Sequence, residues 1–162
     1  MPQITRLGVA ALLHALDQRS PAGCAIGLHI RFTTPRYMFQ SYAERWREVY
    51  AASGLLFRDP TVRWGMNNVG WIRWHDLEAI DSDGILVRAR NYGITSGVTI
   101  AHVAEGSRSI ASFARSDREY STGEISDLET IFHDLHRMTA DPEALTDDDR
   151  KALRTLSVRL TH

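Results

Sequence analysis

The chain has 162 residues, 43% of them hydrophobic and 24% charged, with a formal net charge of −1. That is one domain with a proper core, alone or with a short appendage, and it excludes a disordered or fibrous chain. Near-neutral charge leaves no overall field for nucleic acid or an anionic membrane, so a DNA contact would need a local basic patch.

From Ile4 the apolar positions Ile4, Leu7, Ala11, Leu12, Ala15 and Leu16 fall at helical spacing, and Ser20-Pro21 with Gly23 stops the run. Arg6 followed by Leu7 to Leu13 mimics a signal peptide only faintly, because His14 and Asp17 follow; an amphipathic helix is expected. Next, Cys24, Ile26, Leu28, Ile30 and Phe32 alternate with Ala25, Gly27, His29 and Arg31, which predicts a half-buried strand of period two. Pro35 punctuates it, and Tyr37 to Gln40 suits a short second strand. Ser41 and Glu44 have capping-box spacing, so a helix is expected from there to Gly54, with Tyr42, Trp46, Val49, Tyr50 and Ser53 along one face. A short helix is expected from Pro60, with Asp59 as its cap, then an edge strand over Gly70 to Trp74.

Asp81 to Asp83 cap a further helix, with Ile85, Leu86 and Ala89 inward and Gly93 at its end. Gly97 to Val103 and Ser107 to Arg115 read as strands joined by a tight turn at Glu105-Gly106. Ser121 and Glu124 form a second capping box before a helix whose inner face is Ile125, Leu128, Phe132, Leu135 and Met138. Asp141-Pro142 reads as a hinge. Beyond it Thr146, followed by Asp147, Asp148 and Asp149, caps a terminal helix carrying Leu153 and Leu156. The strands are mostly local, so an α/β domain with an antiparallel sheet covered by helices is expected.

The chemistry is less explicit. There is no Gly-x-Ser-x-Gly elbow, Walker loop or Gly-x-Gly-x-x-Gly, so no catalytic residues are assigned. Cys24 is the only cysteine, which rules out an intrachain disulfide and a thiolate zinc site and suits a reducing cytoplasm. His133 and His136 have spacing for a shared metal, but Asp134 and Arg137 beside them suggest a solvated face, and no metal is expected. Asp81-Ser82-Asp83-Gly84 lacks the later ligands of a calcium loop and reads as a helix cap. His29 and His102 fall in strands, where packing or edge hydrogen bonding accounts for them. The informative signal is aromatic: ten of the fourteen aromatic residues, all four tryptophans among them, lie between Phe32 and Trp74. Polar-tipped aromatics around one carboxylate, Asp59, would suit a small amphipathic ligand bearing an amide.

At these residues the sequence resembles the autoinducer-binding domain of the LuxR family of quorum-sensing regulators. Trp46-x-x-x-Tyr50, Asp59-Pro60, Trp74 and Gly97 match six hallmark positions in order, and Tyr42 also matches. The similarity continues through Gly93 to Thr99 and Gly106 to Phe113, and covers most of the chain from about Tyr37 to His136. The resemblance implies an α/β/α sandwich with a central antiparallel sheet of about five strands. It also implies an N-acyl homoserine lactone, with no cofactor, held between sheet and helices. By the same resemblance Trp46 donates to the lactone carbonyl, Asp59 accepts the ligand amide, and Tyr42 with Ser112 serves the acyl carbonyl. Trp74 packs on the lactone ring and Tyr50 walls the pocket. Thr61, Val62, Ile85 and Ala89 are weaker candidates for its lining, and Pro60 and Gly97 are architectural.

Residues 1–140 are therefore expected to form the ligand-sensing domain and residues 141–162 a C-terminal helix. Leu145 to Leu156 resembles the opening of the family's helix-turn-helix, whose turn and recognition helix are expected to be missing before His162. The expectation is a bacterial, cytoplasmic transcription-regulating sensor that binds no DNA itself. It would act as a homodimer or by pairing with a full-length regulator. The alternative keeps the fold and exchanges the ligand for a fatty-acid or aromatic acyl derivative; a lactone or amide hydrolase using Asp59 with a histidine ranks third.

Overall fold

Two hairpins and a lone edge strand make one antiparallel sheet in the order β2-β1-β5-β4-β3, in a computed structural model that describes residues 7–157. The strands are β1 (Gly23–Arg31), β2 (Thr34–Gln40), β3 (Gly70–Arg73), β4 (Ser96–Ala104) and β5 (Ser107–Arg115). The helices are α1 (Val9–Gln18), α2 (Glu44–Ala52), α3 (Pro60–Asn67), α4 (Ile85–Arg90), α5 (Thr122–Thr139) and α6 (Asp147–Leu156). Short 3₁₀ turns occupy Leu56–Arg58, Trp74–Ile80 and Pro142–Ala144. The architecture is the expected α/β sandwich around an antiparallel sheet. No helix among the described residues is long and apolar enough to cross a membrane.

Local chemistry explains most boundaries. Glu105 (φ 52°) and Gly106 (φ 74°) are consecutive left-handed residues, the backbone of a tight hairpin turn whose twist matches that of the β4–β5 strands. Ser121 accepts from the Glu124 amide while Glu124 reaches back to the Ser121 amide, so α5 starts with both bonds of a capping box. Pro35 is tolerated inside β2 because β2 is an edge strand and needs no amide there for the ladder.

The pleat sends alternate residues to opposite faces. Ile26, Leu28, Phe39, Val98, Ile100 and Phe113 meet α1, α5 and α6 in the larger core, which includes Leu145 and Leu153. Residues of opposite parity, among them Ala25, Gly27, Thr99 and Ser112, look toward α2, α3 and α4 on the other side. α6 is tied to α1 by Asp149, which accepts from the Val9 amide at 3.0 Å as well as capping its own helix.

Several expectations fail, each for a physical reason. Ser41 does not cap α2. Its hydroxyl accepts from the Cys24 amide at 3.0 Å, the helix begins at Glu44 behind Ala43, and Tyr42 precedes the helix instead of sharing its stripe. The period-two pattern of β1 is interrupted, because a bulge between Gly27 and Ile30, with His29 at φ 54°, sends Ile30 to the face opposite Leu28. Phe32, the last apolar position of that pattern, is 89% exposed in the β1–β2 turn. Leu7 precedes α1 and is exposed, and the buried face of that helix is Val9, Leu12, Leu13 and Leu16; Ile4 and Arg6 lie outside the described residues. Asp81 alone caps α4, accepting from the Ile85 and Leu86 amides at 2.8 Å each, while Asp83 faces Arg58. His136 is buried, not solvated; His29 is buried too, which keeps to the packing role expected of it.

Candidate ligand-binding site

A cavity of about 320 Å³ separates the sheet from α2, α3 and α4. The sheet makes its floor with Ala25, Gly27, Ile30, Met38, Ile110 and Ser112. Small residues at Ala25 and Gly27 leave room where larger ones would fill the space. α3 approaches that floor closely, since a methyl on Gly65 would overlap the Ile110 side chain.

Every residue expected to contact a ligand borders this one cavity. Tyr42 reaches it from just before α2, and Trp46 and Tyr50 from the inner face of that helix. Asp59, Thr61 and Val62 come from the first turn of α3, Trp74 from the 3₁₀ segment after β3, and Ile85 and Ala89 from α4. Ser112 comes from β5. Pro60 and Gly97 do not line the space. Pro60 takes the first position of α3, where its fixed φ suits a helix start. Gly97 lies beneath Trp74, and a Cβ there would clash with the indole ring.

Asp59 is the electrostatic centre. It is 8% exposed. Its Oδ1 accepts from the Thr61 amide (2.8 Å) and hydroxyl (2.7 Å), and its Oδ2 accepts from the Tyr50 hydroxyl at 2.8 Å. The helix-cap role expected of Asp59 is thus carried by Oδ1. Each carboxylate oxygen offers two lone-pair sites, so Oδ1 is saturated and Oδ2 retains one. Burial pushes the Asp59 carboxyl above the usual range, and the Thr61 and Tyr50 hydrogen bonds pull it back. Burial next to this carboxylate also drives the Tyr50 phenol up, so Tyr50 remains a donor.

A second polar chain crosses the floor. The Trp74 indole N–H donates to Thr99 Oγ1 at 3.0 Å, and Thr99 Oγ1 lies 2.7 Å from Ser112 Oγ. Trp74 therefore spends its donor on the sheet and presents a ring to the cavity. The Tyr42 hydroxyl makes only a long contact of 3.5 Å to the Ser112 carbonyl. Trp46 packs edge-on to Tyr50 and against Tyr92, yet its indole N–H has no hydrogen-bond partner among the described residues. No fully buried side-chain nitrogen or oxygen among those residues lacks a partner, so this N–H is not sealed off, and the side chain that carries it lines the cavity.

The sheet residues Ile30, Met38 and Ile110, together with Arg47 and Arg63, border the cavity without having been expected there. For the strand residues the signal was the small pair Ala25 and Gly27, alternating with the apolar positions of β1; the two arginines had none. The described residues contain no group of three or more His, Cys, Asp or Glu side chains placed to hold a metal ion.

Comparison with known proteins gives a family match over residues 29–138, to the autoinducer binding domain. The transcriptional activator VanR of Vibrio anguillarum is 34% identical over 88 residues, 52% of this chain and 37% of VanR. SolR of Ralstonia nicotianae, also a transcriptional activator, is 28% identical over 109 residues, 65% of this chain and 46% of SolR. The chain thus spans under half the length of these curated relatives. Among solved structures, Escherichia coli SdiA matches 93% of this chain and 72% of its own, with a TM-score of 0.63 and 20% identity. That likeness speaks for the fold.

Proposed function

The chain belongs to the autoinducer-binding domain family of LuxR-type regulators, and from that premise we propose that its cavity holds an N-acyl homoserine lactone. The observation that carries the reading is an unpartnered Trp46 N–H and a free lone-pair site on Asp59 Oδ2, on two side chains that line one largely apolar cavity. A homoserine lactone offers carbonyl acceptors, one amide donor and a hydrocarbon tail. Trp46 donates to the lactone carbonyl and Asp59 Oδ2 accepts the amide. Tyr42 exchanges its long contact for the acyl carbonyl, and Ser112 supports it with the hydroxyl proton left over when Thr99 donates to it. Trp74, Ile85 and Ala89 supply apolar wall, with Tyr50 and Thr61 fixing Asp59 and Val62 lining the approach. A hydrogen bond to the charged acceptor contributes about 1.5–3 kcal/mol and each buried methylene about 0.8 kcal/mol.

In this reading residues 1–140 are the sensing domain and residues 141–162 a C-terminal appendage, whose helix α6 packs on α1. The signal passes on by dimerisation or by contact with another regulator of the family. The test is thermal unfolding against lactones of graded tail length, with size-exclusion chromatography in parallel. A ligand that binds only the folded state raises the melting temperature. A well-folded protein that responds to none of them refutes the lactone reading. A second reading exchanges the lactone for another acyl amphiphile, since SdiA has been solved in complex with octanoyl-rac-glycerol. Mass spectrometry of solvent extracts from purified protein separates the two.

A further inference from the structure

Behind the cavity, on the α5 face, four histidine rings stand in contact. His29 and His136 have centroids 4.4 Å apart, His102 and His136 4.7 Å, and His102 stacks on His133 at 3.8 Å. The ligand reading above uses none of them. One of them, His29, is the left-handed residue of the β1 bulge.

The hydrogen bonds give the array a direction. The His29 amide is taken by Ser109 Oγ at 3.0 Å. Ser109 Oγ lies 2.6 Å from His136 Nδ1, and His136 Nε2 reaches the Ala104 carbonyl at 3.4 Å. A carbonyl only accepts, so His136 carries its proton on Nε2, and Nδ1 accepts from Ser109. The same logic fixes His29. Its Nε2 donates to the His136 carbonyl at 3.0 Å and its Nδ1 accepts from Ser107 at 2.7 Å. His29 is thereby bound to both α5 and β5.

The bulge inverts parity. Ile26 and Leu28 enter the α5-side core, and an uninterrupted strand would send Ile30 after them. Instead Ile30 borders the cavity, and a Cβ built on Gly27 would meet its Cδ1 at 3.7 Å. We propose that the Ser109–His29–His136 array, on the face of the sheet away from the cavity, is a positioning device for ligand selectivity: it holds the bulge that seats Ile30 in the cavity wall and so sets the length of acyl tail accepted. This rests on the acyl-ligand reading above.

The array is also sensitive to protons. Protonating His136 on Nδ1 removes the acceptor for the Ser109 hydroxyl, which is fully buried and has no other acceptor among the described residues. The groups facing the array are Arg36 from β2, which donates to the Ala140 carbonyl, Glu105 from the β4–β5 turn, and His102 and His133. Asp134 and Arg137, beside it on α5, pair with each other. Burial holds His29 and His136 below the ordinary imidazole value, with Arg36 adding to this for His29 and the neighbouring rings for His136, so the array is neutral at neutral pH.

The test uses the full chain and two readouts. The first is affinity for a homologous series of straight-chain N-acyl homoserine lactones. In Ser109→Ala and His29→Asn the affinity maximum moves to a tail about two methylenes longer, against about fourfold in affinity per methylene. Asparagine tolerates the left-handed backbone but is too short to reach α5. Ile30→Ala, which leaves the array intact, moves the maximum the same way. A maximum that stays in place in Ser109→Ala while all tails weaken equally overturns the proposal. The second readout is ligand-free methyl and imidazole NMR. The Ile30 methyl shifts with the midpoint of the His136 ring in the parent and is uncoupled from it in Ser109→Ala. An Ile30 methyl that ignores the His136 titration overturns the proposal, even if no lactone binds and the ligand reading itself has failed.

Discussion

The two faces of one sheet are built from alternate residues of the same strands, yet one is filled and the other hollow. Under α5 the contributors are mostly large and apolar, and Phe113 meets Phe132 edge-on at 6.5 Å with both rings fully buried. On the other face the strands set small residues, Ala25, Gly27 and Ser112, among Ile30, Met38 and Ile110, and the helices opposite carry aromatics with polar tips. The filled face gains dispersion contacts and asks nothing of a ligand. The hollow face forgoes those contacts and keeps a donor and an acceptor in reserve. Stability and recognition are therefore separable in this fold, and substitutions on the two faces should have different signatures.

The largest effect is expected on the filled face. Phe132→Ala should cost about 3–5 kcal/mol in urea unfolding, because the surrounding core cannot collapse around the missing ring. The stabilisation added by a saturating ligand should survive intact. A variant that loses ligand response along with stability would show that the faces are coupled more widely than through the β1 bulge.

Trp46→Phe probes the hollow face. It keeps most of the ring and removes the N–H. Apo stability should change by less than about 1.5 kcal/mol, while ligand affinity falls about tenfold, the equivalent of one hydrogen bond of about 1.4 kcal/mol. Equal affinity in the two proteins would remove Trp46 from the proposed contacts.

Acid separates the faces by sign. On the filled face burial depresses His29, His136 and His102, the last to about 4, with neighbouring histidines adding to the effect on His102 and His136. A base depressed in the folded state contributes stability that is present above its unfolded value, about 6.5, and is lost as pH falls toward the folded value. On the hollow face burial raises Asp59, so the folded state binds that proton more readily and acid works in favour of folding above about pH 4. The expected result is a urea midpoint that declines from about pH 6.5 to about pH 4, and less steeply in His102→Asn. A midpoint that rises over this range would mean that the carboxylate outweighs the histidines.

The contrast was only partly legible in the sequence. α5 announced itself through its capping box and an apolar face of Ile125, Leu128, Phe132 and Leu135, because local bonds and burial agree there. The Ser41–Glu44 pair has the same spacing but fails, because the Cys24 amide on the neighbouring strand claims the serine. The aromatic cluster pointed to the helical wall of the cavity. Its floor, apart from Ser112, stayed hidden, because strand residues are assigned to a face by register, and the alternation of β1 continues in sequence straight through the bulge at His29. His136 read as solvated because its neighbours Asp134 and Arg137 are charged. Burial of that turn depends on β1 and β5, which are distant in the chain.

The smallest stability change, and the sharpest distinction, is expected from Asp59→Asn. The amide oxygen can take the place of Oδ1 and accept from the Thr61 amide and hydroxyl, and asparagine caps helices as well as aspartate. The amide nitrogen then replaces Oδ2 and donates to the Tyr50 oxygen, reversing that hydrogen bond without breaking it. The buried charge is gone, so apo stability at neutral pH should hold within about 0.5 kcal/mol or rise. The ligand amide N–H, however, would face a donor where it had an acceptor, and lactone-dependent stabilisation should disappear. Loss of apo stability without loss of ligand response would reduce Asp59 to a helix cap. Loss of ligand response at unchanged apo stability would show one side chain serving structure with one oxygen and recognition with the other.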